Sequence, residues 1–306
     1  MQANSAMLSI VTGAFGFSGR YIAHRLLVGG ERVLTLTNHA PSSPSMQVAP
    51  LDFRNPQGLA DSMAGATVLY NTCWVRFAYG KISHETAVEN SRVLVHAAEQ
   101  AGLRRIVHIS VTSPSPNSPL PYFRGKAAVE DIIRSSCLSH AILRPALVFG
   151  KGDILLNNIA WLLRRFPFFP IPGDGEYSLQ PIFVEDLAAL AVENGHRREN
   201  VVLDAVGPET YKYKDLVQLI RESIHSRSRV LCVPPSLVCL ASRVLGHLVH
   251  DVILTSEEVS GLMANLLVSN QTPSGTKSLR EWLRENAAYV GPTYASEIER
   301  HFRQVS

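Results

Sequence analysis

The sequence predicts an α/β fold, a doubly wound parallel sheet followed by a smaller, mostly helical C-terminal lobe. Three observations carry that expectation. Short apolar runs alternate with helical patterns through the first half of the chain, and strands separated by helices pair in parallel through right-handed crossovers. A glycine-rich turn, TGAFGFSG, stands between the first apolar run and the first helical one. Past residue 150 the alternation gives way to Pro/Gly-rich segments and amphipathic stretches, the mark of a separate lobe. The expected division sets residues 1–150, rejoined by 181–206, against a lobe of 151–180 and 207–306.

The elements follow in order. LSIVT (Leu8 to Thr12) reads as a strand, and Phe17 to Val28 as a helix closed by Gly29-Gly30. RVLTLT (Arg32 to Thr37) is the second strand, followed by a Pro/Ser-rich loop from Ala40 to Ser45. Val48 to Leu51 and Thr67 to Tyr70 flank a helix from Pro56 to Met63. A long helix, about Ser83 to Ala101, stops at Gly102. IVHIS (Ile106 to Ser110), a helix starting near Tyr122, and HAILRP (His140 to Pro145) complete the first half.

In the second half Ile154 to Phe166 is helical, and FPFFPIPGDG reads as a loop that no regular element accommodates. Pro181 to Val184, the helix Glu185 to Asn194 and the strand Val201 to Val206 come next. A helix from Tyr213 to Ile224 leads through a basic linker (His225 to Arg229) to the apolar segment VLCVPPSLVCLASRVLGHLVHDVIL. Its arginine, histidines and paired prolines argue against a membrane span. The expectation is a buried or cleft-covering helix, with a membrane-surface helix as the alternative. A polar linker (Asn270 to Gly275) and two short amphipathic helices finish the chain.

Composition narrows the function classes. With 46% hydrophobic and 18% charged residues among 306, a filled core is expected and wholesale disorder is not. A net charge of +3 is too small for nucleic-acid binding without a clustered patch. The pairs Arg104-Arg105, Arg164-Arg165 and Arg197-Arg198 are scattered, and each is expected on a solvated helix end or loop. Cys73, Cys137, Cys232 and Cys239 have neither CxxC spacing nor histidines at metal-ligand spacing. A disulfide framework and a metal site are both disfavoured, and a reducing, cytoplasmic setting is expected. No apolar run reaches the roughly 18 residues of a span, and MQANSAM is too short and polar for a signal peptide.

Gly13, Gly16 and Gly19 form a GxxGxxG pattern between strand and helix. The first permits the tight turn, the second lets a pyrophosphate approach the backbone, and the third allows close helix packing. The turn therefore predicts a dinucleotide site, with Phe15 and Phe17 between the glycines as part of its surface. NAD calls for an acidic residue at the end of the second strand; the chain has Thr37, Asn38 and His39 there. Without that carboxylate a 2′-phosphate meets no repulsion, and Arg20 follows the third glycine. NADP(H) is the expected cofactor and NAD(H) the alternative. Asp52 is placed to accept from the adenine amino group, with Phe53 beside it. Tyr122 and Lys126, four residues apart, share a helix face.

TGAFGFSG, LDFRNP, ENSRVLVHAAEQAGLRRIVHIS, YFRGK and LRPALVFG occur in an order that resembles the extended or atypical short-chain dehydrogenases/reductases. GKGDILLNNIAWLLRRFP, LQPIFVEDLAALAV and VGPETYKYKDLVQLI resemble a narrower branch. That branch contains the nucleotide-binding accessory subunit of respiratory complex I and free-standing bacterial relatives. The resemblance implies a Rossmann sheet, Tyr122 as general acid/base, and Lys126 binding the nicotinamide ribose while lowering the phenol's pKa. It implies a substrate-oxygen hydroxyl at Thr112, with Ser110 and Ser113 as rivals, and a role for Asn90 on the long helix. Asn71 falls at the cofactor-side loop and Pro145 beside the nicotinamide. The segment VTSPSPNSPLP is shorter than in sugar-nucleotide epimerases, which argues against a sugar-nucleotide pocket.

Two readings result. One is an NAD(P)-dependent oxidoreductase or epimerase-like enzyme acting on a small, hydrophobic or partly aromatic substrate. The other is a non-catalytic NADPH-holding protein that docks to a partner complex or a membrane surface, as a monomer or homodimer.

Overall fold

The computed structural model describes residues 6–38 and 45–301. These fall into two compact units, one of residues 6–144 and 184–204, the other of 145–183 and 205–301. His39 and most of the following Pro/Ser-rich loop lie outside the described residues.

The first unit runs β1 (Leu8–Thr12), α1 (Phe17–Val28), β2 (Arg32–Leu36), β3 (Gln47–Ala49), α2 (Pro56–Ser62), β4 (Val68–Asn71), α3 (His84–Gln100), β5 (Arg105–Ile109), α4 (Pro121–Arg134) and β6 (Ser139–Pro145). The chain then supplies the second unit with β7 (Leu147–Phe149), α5 (Leu155–Arg165), β8 (Phe168–Pro172), β9 (Ser178–Leu179) and β10 (Pro181–Phe183). It returns for α6 (Val184–His196) and β11 (Val201–Ala205). The second unit is completed by β12 (Tyr211–Lys212), α7 (Tyr213–Ser223), β13 (Arg229–Val233), α8 (Pro235–Val249), α9 (Ser256–Met263), α10 (Leu279–Asn286), a 3₁₀ turn at Ala287–Tyr289, and α11 (Glu297–His301).

The first unit is the predicted doubly wound sheet. Its seven strands lie in the order β11-β6-β5-β4-β1-β2-β3, with β3 to β6 paired in parallel throughout. Strand order reverses between β1 and β4, and ligands of such sheets bind at the carboxyl ends beside that switch point. Val33, Leu34 and Leu36 on β2 and Ile10 and Val11 on β1 are buried, as strands covered on both faces require. One core cluster joins these strands to Leu59 and Met63 of the α2 region, Leu94 and Ala98 of α3, and Val129 and Ile133 of α4. Arg105 departs from the expected solvated position. It is buried on β5, where its guanidinium donates to the carbonyls of Asn194 (2.7 Å) and Glu199 (3.0 Å), and those bonds replace its water.

The second unit has its own core, in which Phe149, Leu156, Leu216, Ile220, Trp282 and Leu283 pack together. Two expectations are corrected there. The FPFFP segment is not a loop, because Phe168–Pro172 pairs in parallel with Arg229–Val233. A two-stranded ribbon has free edges on which the missing proline N–H groups break no ladder, and Arg229 N–H donates to Pro167 O at 2.8 Å. The apolar segment is not buried either. Its first part is β13, and α8 buries only Val238 and Gly246.

Candidate functional site

At the tip of β1 the backbone does the shaping. Gly13 has φ +63, a left-handed turn that a Cβ would strain. Its N–H donates to Leu36 O (3.0 Å) and its carbonyl accepts from Gly16 N–H (2.8 Å). A Cβ on Gly19 would lie 2.3 Å from Gly13 O, so α1 approaches the turn at a distance only glycine allows. Gly16 caps α1 without a side-chain hydrogen bond. The first-turn amides therefore have no side-chain acceptor, the condition for anion binding at a helix N-terminus. Phe15 and Phe17 are half-buried beside the turn. Arg20 is exposed, its guanidinium 5.0 Å from the Tyr21 ring centroid and 5.8 Å from that of Phe17.

Beyond β2, Asn38 pins the next loop by two bonds to Leu51: Nδ2 donates to its carbonyl (2.9 Å) and Oδ1 accepts its N–H (3.1 Å). Asp52 Oδ1 accepts from Arg54 Nε (3.0 Å) and N–H (3.1 Å), and this pairing holds its carboxyl below the usual range. Phe53 packs on the sheet core.

The tips of β4 and β5 are tightly knit. Asn71, fully buried, accepts from Thr12 Oγ1 (3.2 Å) and Cys73 N–H (3.1 Å), and its Nδ2 meets His108 Nδ1 at 3.2 Å. If that amide donates, as the bonds to its oxygen require, His108 carries its proton on Nε2, which is buried without a partner. Burial, then the charge of Lys126, pushes the His108 imidazolium well down, so the ring is neutral. Ser110 Oγ donates to Glu130 Oε1 at 2.6 Å. Thr112 is 0% exposed. Ser113 is exposed, in a left-handed conformation at φ +55.

Tyr122, Lys126 and Glu130 follow one another at i, i+4 and i+8 on α4. Glu130 is buried and accepts from Ser110, from Arg134 Nη2 (2.6 Å) and from Arg144 Nε (2.9 Å) and Nη2 (2.5 Å). Lys126 is 3% exposed. Its Nζ donates to Ile109 O at 2.8 Å and lies 4.7 Å from the Trp74 ring centroid. Burial pushes its ammonium down to about 7, against the pull of Cys73 and Glu130; the carbonyl and the indole face also favour the charged form. The half-buried Tyr122 stands edge-on to Trp74 (6.1 Å, 84°) and His84 (5.8 Å, 88°), and these two stack on each other at 5.9 Å. A Cβ on Gly125 would come within 3.0 Å of the indole. Trp74 Nε1 is buried without a partner.

The structure thus brings Tyr122, Lys126, Ser110 and Asn71 around the tips of β4 and β5, and Gly13, Gly16, Gly19 and Arg20 around the tip of β1. Asn90 is not drawn into the aromatic cluster: it is half-buried on α3, six residues and about 9 Å of axis beyond His84. Pro145 closes β6, where the chain leaves the first unit. Sequence reading took His84 and His108 for ordinary core or surface residues and gave Trp74 and Glu130 no role. Only Glu130 left a signal, its helical spacing from Lys126. Among the described residues no His, Cys, Asp and Glu group is arranged to hold a metal.

The model of the NAD dependent epimerase/dehydratase family matches residues 9–200, more than half of the chain. The chain is 25% identical over 289 residues to NADH dehydrogenase (ubiquinone) 1 alpha subcomplex subunit 9, mitochondrial, of Arabidopsis thaliana, covering 87% of this chain and 72% of that one. It is 29% identical over 192 residues to the ceramide reductase of Caulobacter vibrioides, covering 60% of this chain and 59% of that one. Among solved structures, the triphenylmethane reductase of Citrobacter sp. has a TM-score of 0.75 at 16% identity, covering 92% of this chain and all of that one. The same reductase in complex with NADP(H) has a TM-score of 0.71 at 16% identity, with the same coverage. At that identity the likeness is one of fold.

Proposed function

The chain belongs to the NAD dependent epimerase/dehydratase family, and on that premise we propose that it holds NADP(H) as a structural element and docks to a larger assembly. The observation that carries this reading is the state of the hydroxyls expected to grip a substrate. Ser110 is spent on the Glu130 carboxylate and Thr112 is fully buried, while the N-terminus of α1 carries no side-chain cap and stays suited to a pyrophosphate. Gly13, Gly16 and Gly19 would hold the diphosphate, with Phe15 and Phe17 along its flank. Asn38, Asp52 and Phe53 would border the adenosine, and Arg20 would take a 2′-phosphate. The absence of a carboxylate at Asn38 favours NADP(H) over NAD(H). Docking to an assembly is supported by the relative named as a NADH dehydrogenase subunit. The four cysteines are free thiols, which fits a reducing compartment such as the cytoplasm.

A second reading, a reductase or epimerase-like enzyme, is favoured by the Tyr122–Lys126 spacing and by the ceramide reductase relative. In it the bound cofactor supplies or accepts hydride. Tyr122 Oη would move the proton, Lys126 would exchange Ile109 O for the nicotinamide ribose, Pro145 would flank the nicotinamide, and Asn71 and Asn90 would support the site. Its substrate would be a hydrophobic carbonyl or alcohol.

The test of the nucleotide reading is a fluorescence titration of the purified protein with NADPH and NADH. NADPH is expected to bind more tightly and to raise the melting temperature by mass action. Failure of both nucleotides to bind would remove both readings.

A further inference from the structure

Helix α8 leaves uncovered a face unlike the rest of the second unit. Val238, Cys239, Ser242, Leu245, Gly246 and Val249 are buried or half-buried, recurring as one packed helix face does. The outward face carries Leu237, Leu240, Val244 and Leu248, which are 52, 57, 57 and 74% exposed. At 3.6 residues per turn these four fall within a sector roughly 80° wide and make a stripe about 17 Å long. Contiguous exposed apolar surface of this kind marks an interaction site.

The chemistry around the stripe selects the partner. Arg243 and His247 are exposed in the adjoining sector of the same helix. From His225 to His250 the chain has three arginines, three histidines and no Asp or Glu, and Arg227 and Arg229 are exposed. The stripe bears no aromatic ring and no hydrogen-bonding group. Protein–protein hot spots centre on Trp, Tyr and Arg, with Leu and Val under-represented. Aliphatic side chains bordered by Arg243, on a helix with no carboxylate, complement a bilayer surface that carries anionic headgroups. Among the described residues no helix is long and apolar enough to cross a membrane, so α8 would lie along the surface.

We propose that α8 is a membrane-surface anchor. Leu237, Leu240, Val244 and Leu248 enter the headgroup–acyl boundary of an anionic bilayer, Arg243 and His247 sit at the level of the phosphates, and Arg227 and Arg229 add attraction at longer range. The inference stands apart from the nucleotide reading.

Co-sedimentation of the full chain with vesicles tests it. One set is phosphatidylcholine alone and the other equal parts phosphatidylcholine and phosphatidylglycerol. The protein is expected to pellet with the mixed vesicles, much less with the neutral ones, and less as salt is added. The double exchange Leu240→Asp with Val244→Asp is expected to lower vesicle affinity at least about tenfold, and Arg243→Glu about fivefold at low salt. Unchanged thermal melts certify that both variants fold, whether or not nucleotide binds. Failure of the unmodified protein to pellet with either vesicle would overturn the proposal, as would undiminished pelleting of the aspartate pair. So would a dimer in light scattering that the aspartate pair dissolves, which would give the stripe to a second copy of the chain.

Discussion

The tip of β1 and the start of α4 belong to one unit and are built on opposite terms. At β1 the polar groups are backbone: a left-handed glycine, a helix too close for any Cβ, and an N-terminus no side chain caps. At α4 the polar groups are side chains, and they are spent. Lys126 is bonded to Ile109 O beneath an indole, Ser110 to Glu130, and Tyr122 is packed against the rings of Trp74, His84 and Phe123. Binding a diphosphate needs only donors that the turn supplies by its shape. Moving a proton needs a side chain within reach of the substrate. On the proposed reading, a dinucleotide site would persist where the side chains of the reacting end are taken up by the protein's own groups.

The largest way to break this contrast is at the open end. Gly19→Val puts a branched side chain where a Cβ alone meets Gly13 O at 2.3 Å. NADPH affinity is expected to fall by about a hundredfold or more, roughly 2.7 kcal/mol, in a fluorescence titration, with helix content by circular dichroism retained. At the closed end, Glu130→Gln leaves two guanidiniums and the Ser110 hydroxyl without their carboxylate. Urea unfolding should show a loss of about 3 kcal/mol with nucleotide affinity little changed.

Lys126→Met sharpens the comparison through pH. The folded pKa, about 7, lies below the usual 10.5. Below about pH 7 both folded and unfolded chains carry the ammonium, and its burial penalty is fully present. Between about 7 and 10.5 the unfolded chain binds more protons, so this group makes stability rise with pH. The variant should therefore be more stable than the unmodified protein at pH 6, by about 2 kcal/mol after the lost carbonyl bond and cation–π contact, and the gain should vanish toward pH 10. A gain that grew with pH would contradict the burial of Lys126. The smallest effect is expected from Tyr122→Phe, which keeps the ring packing: NADPH affinity within about twofold and a nearly unchanged melting temperature.

The first unit was legible because its signals are local. The strand Leu8–Thr12 and the helix Phe17–Val28 lie where apolar runs and glycine punctuation put them. The second unit was less so. Phe168–Pro172 is a strand because Arg229–Val233, some sixty residues later, lies beside it, and no local rule predicts a strand with three prolines nearby. α9 did leave a trace, a Thr255–Glu258 capping box, in a stretch between the apolar segment and the polar linker that was assigned no element. At the site, the Tyr122–Lys126 spacing was visible, but its surroundings were not. Trp74 and His84 reach the pair from a loop and a helix start far away in sequence, and the burial that pushes Lys126 down exists only once they pack.

The measurement that tests the central claim most directly is a turnover assay on NADPH-loaded protein. A panel of carbonyl compounds and quinones is added, the nicotinamide absorbance is followed, and Tyr122→Phe is run alongside. The account predicts NADPH oxidation no faster than in free solution, and the same trace for the variant. Oxidation accelerated by the unmodified protein and abolished in Tyr122→Phe would contradict it and give the site to the reductase reading.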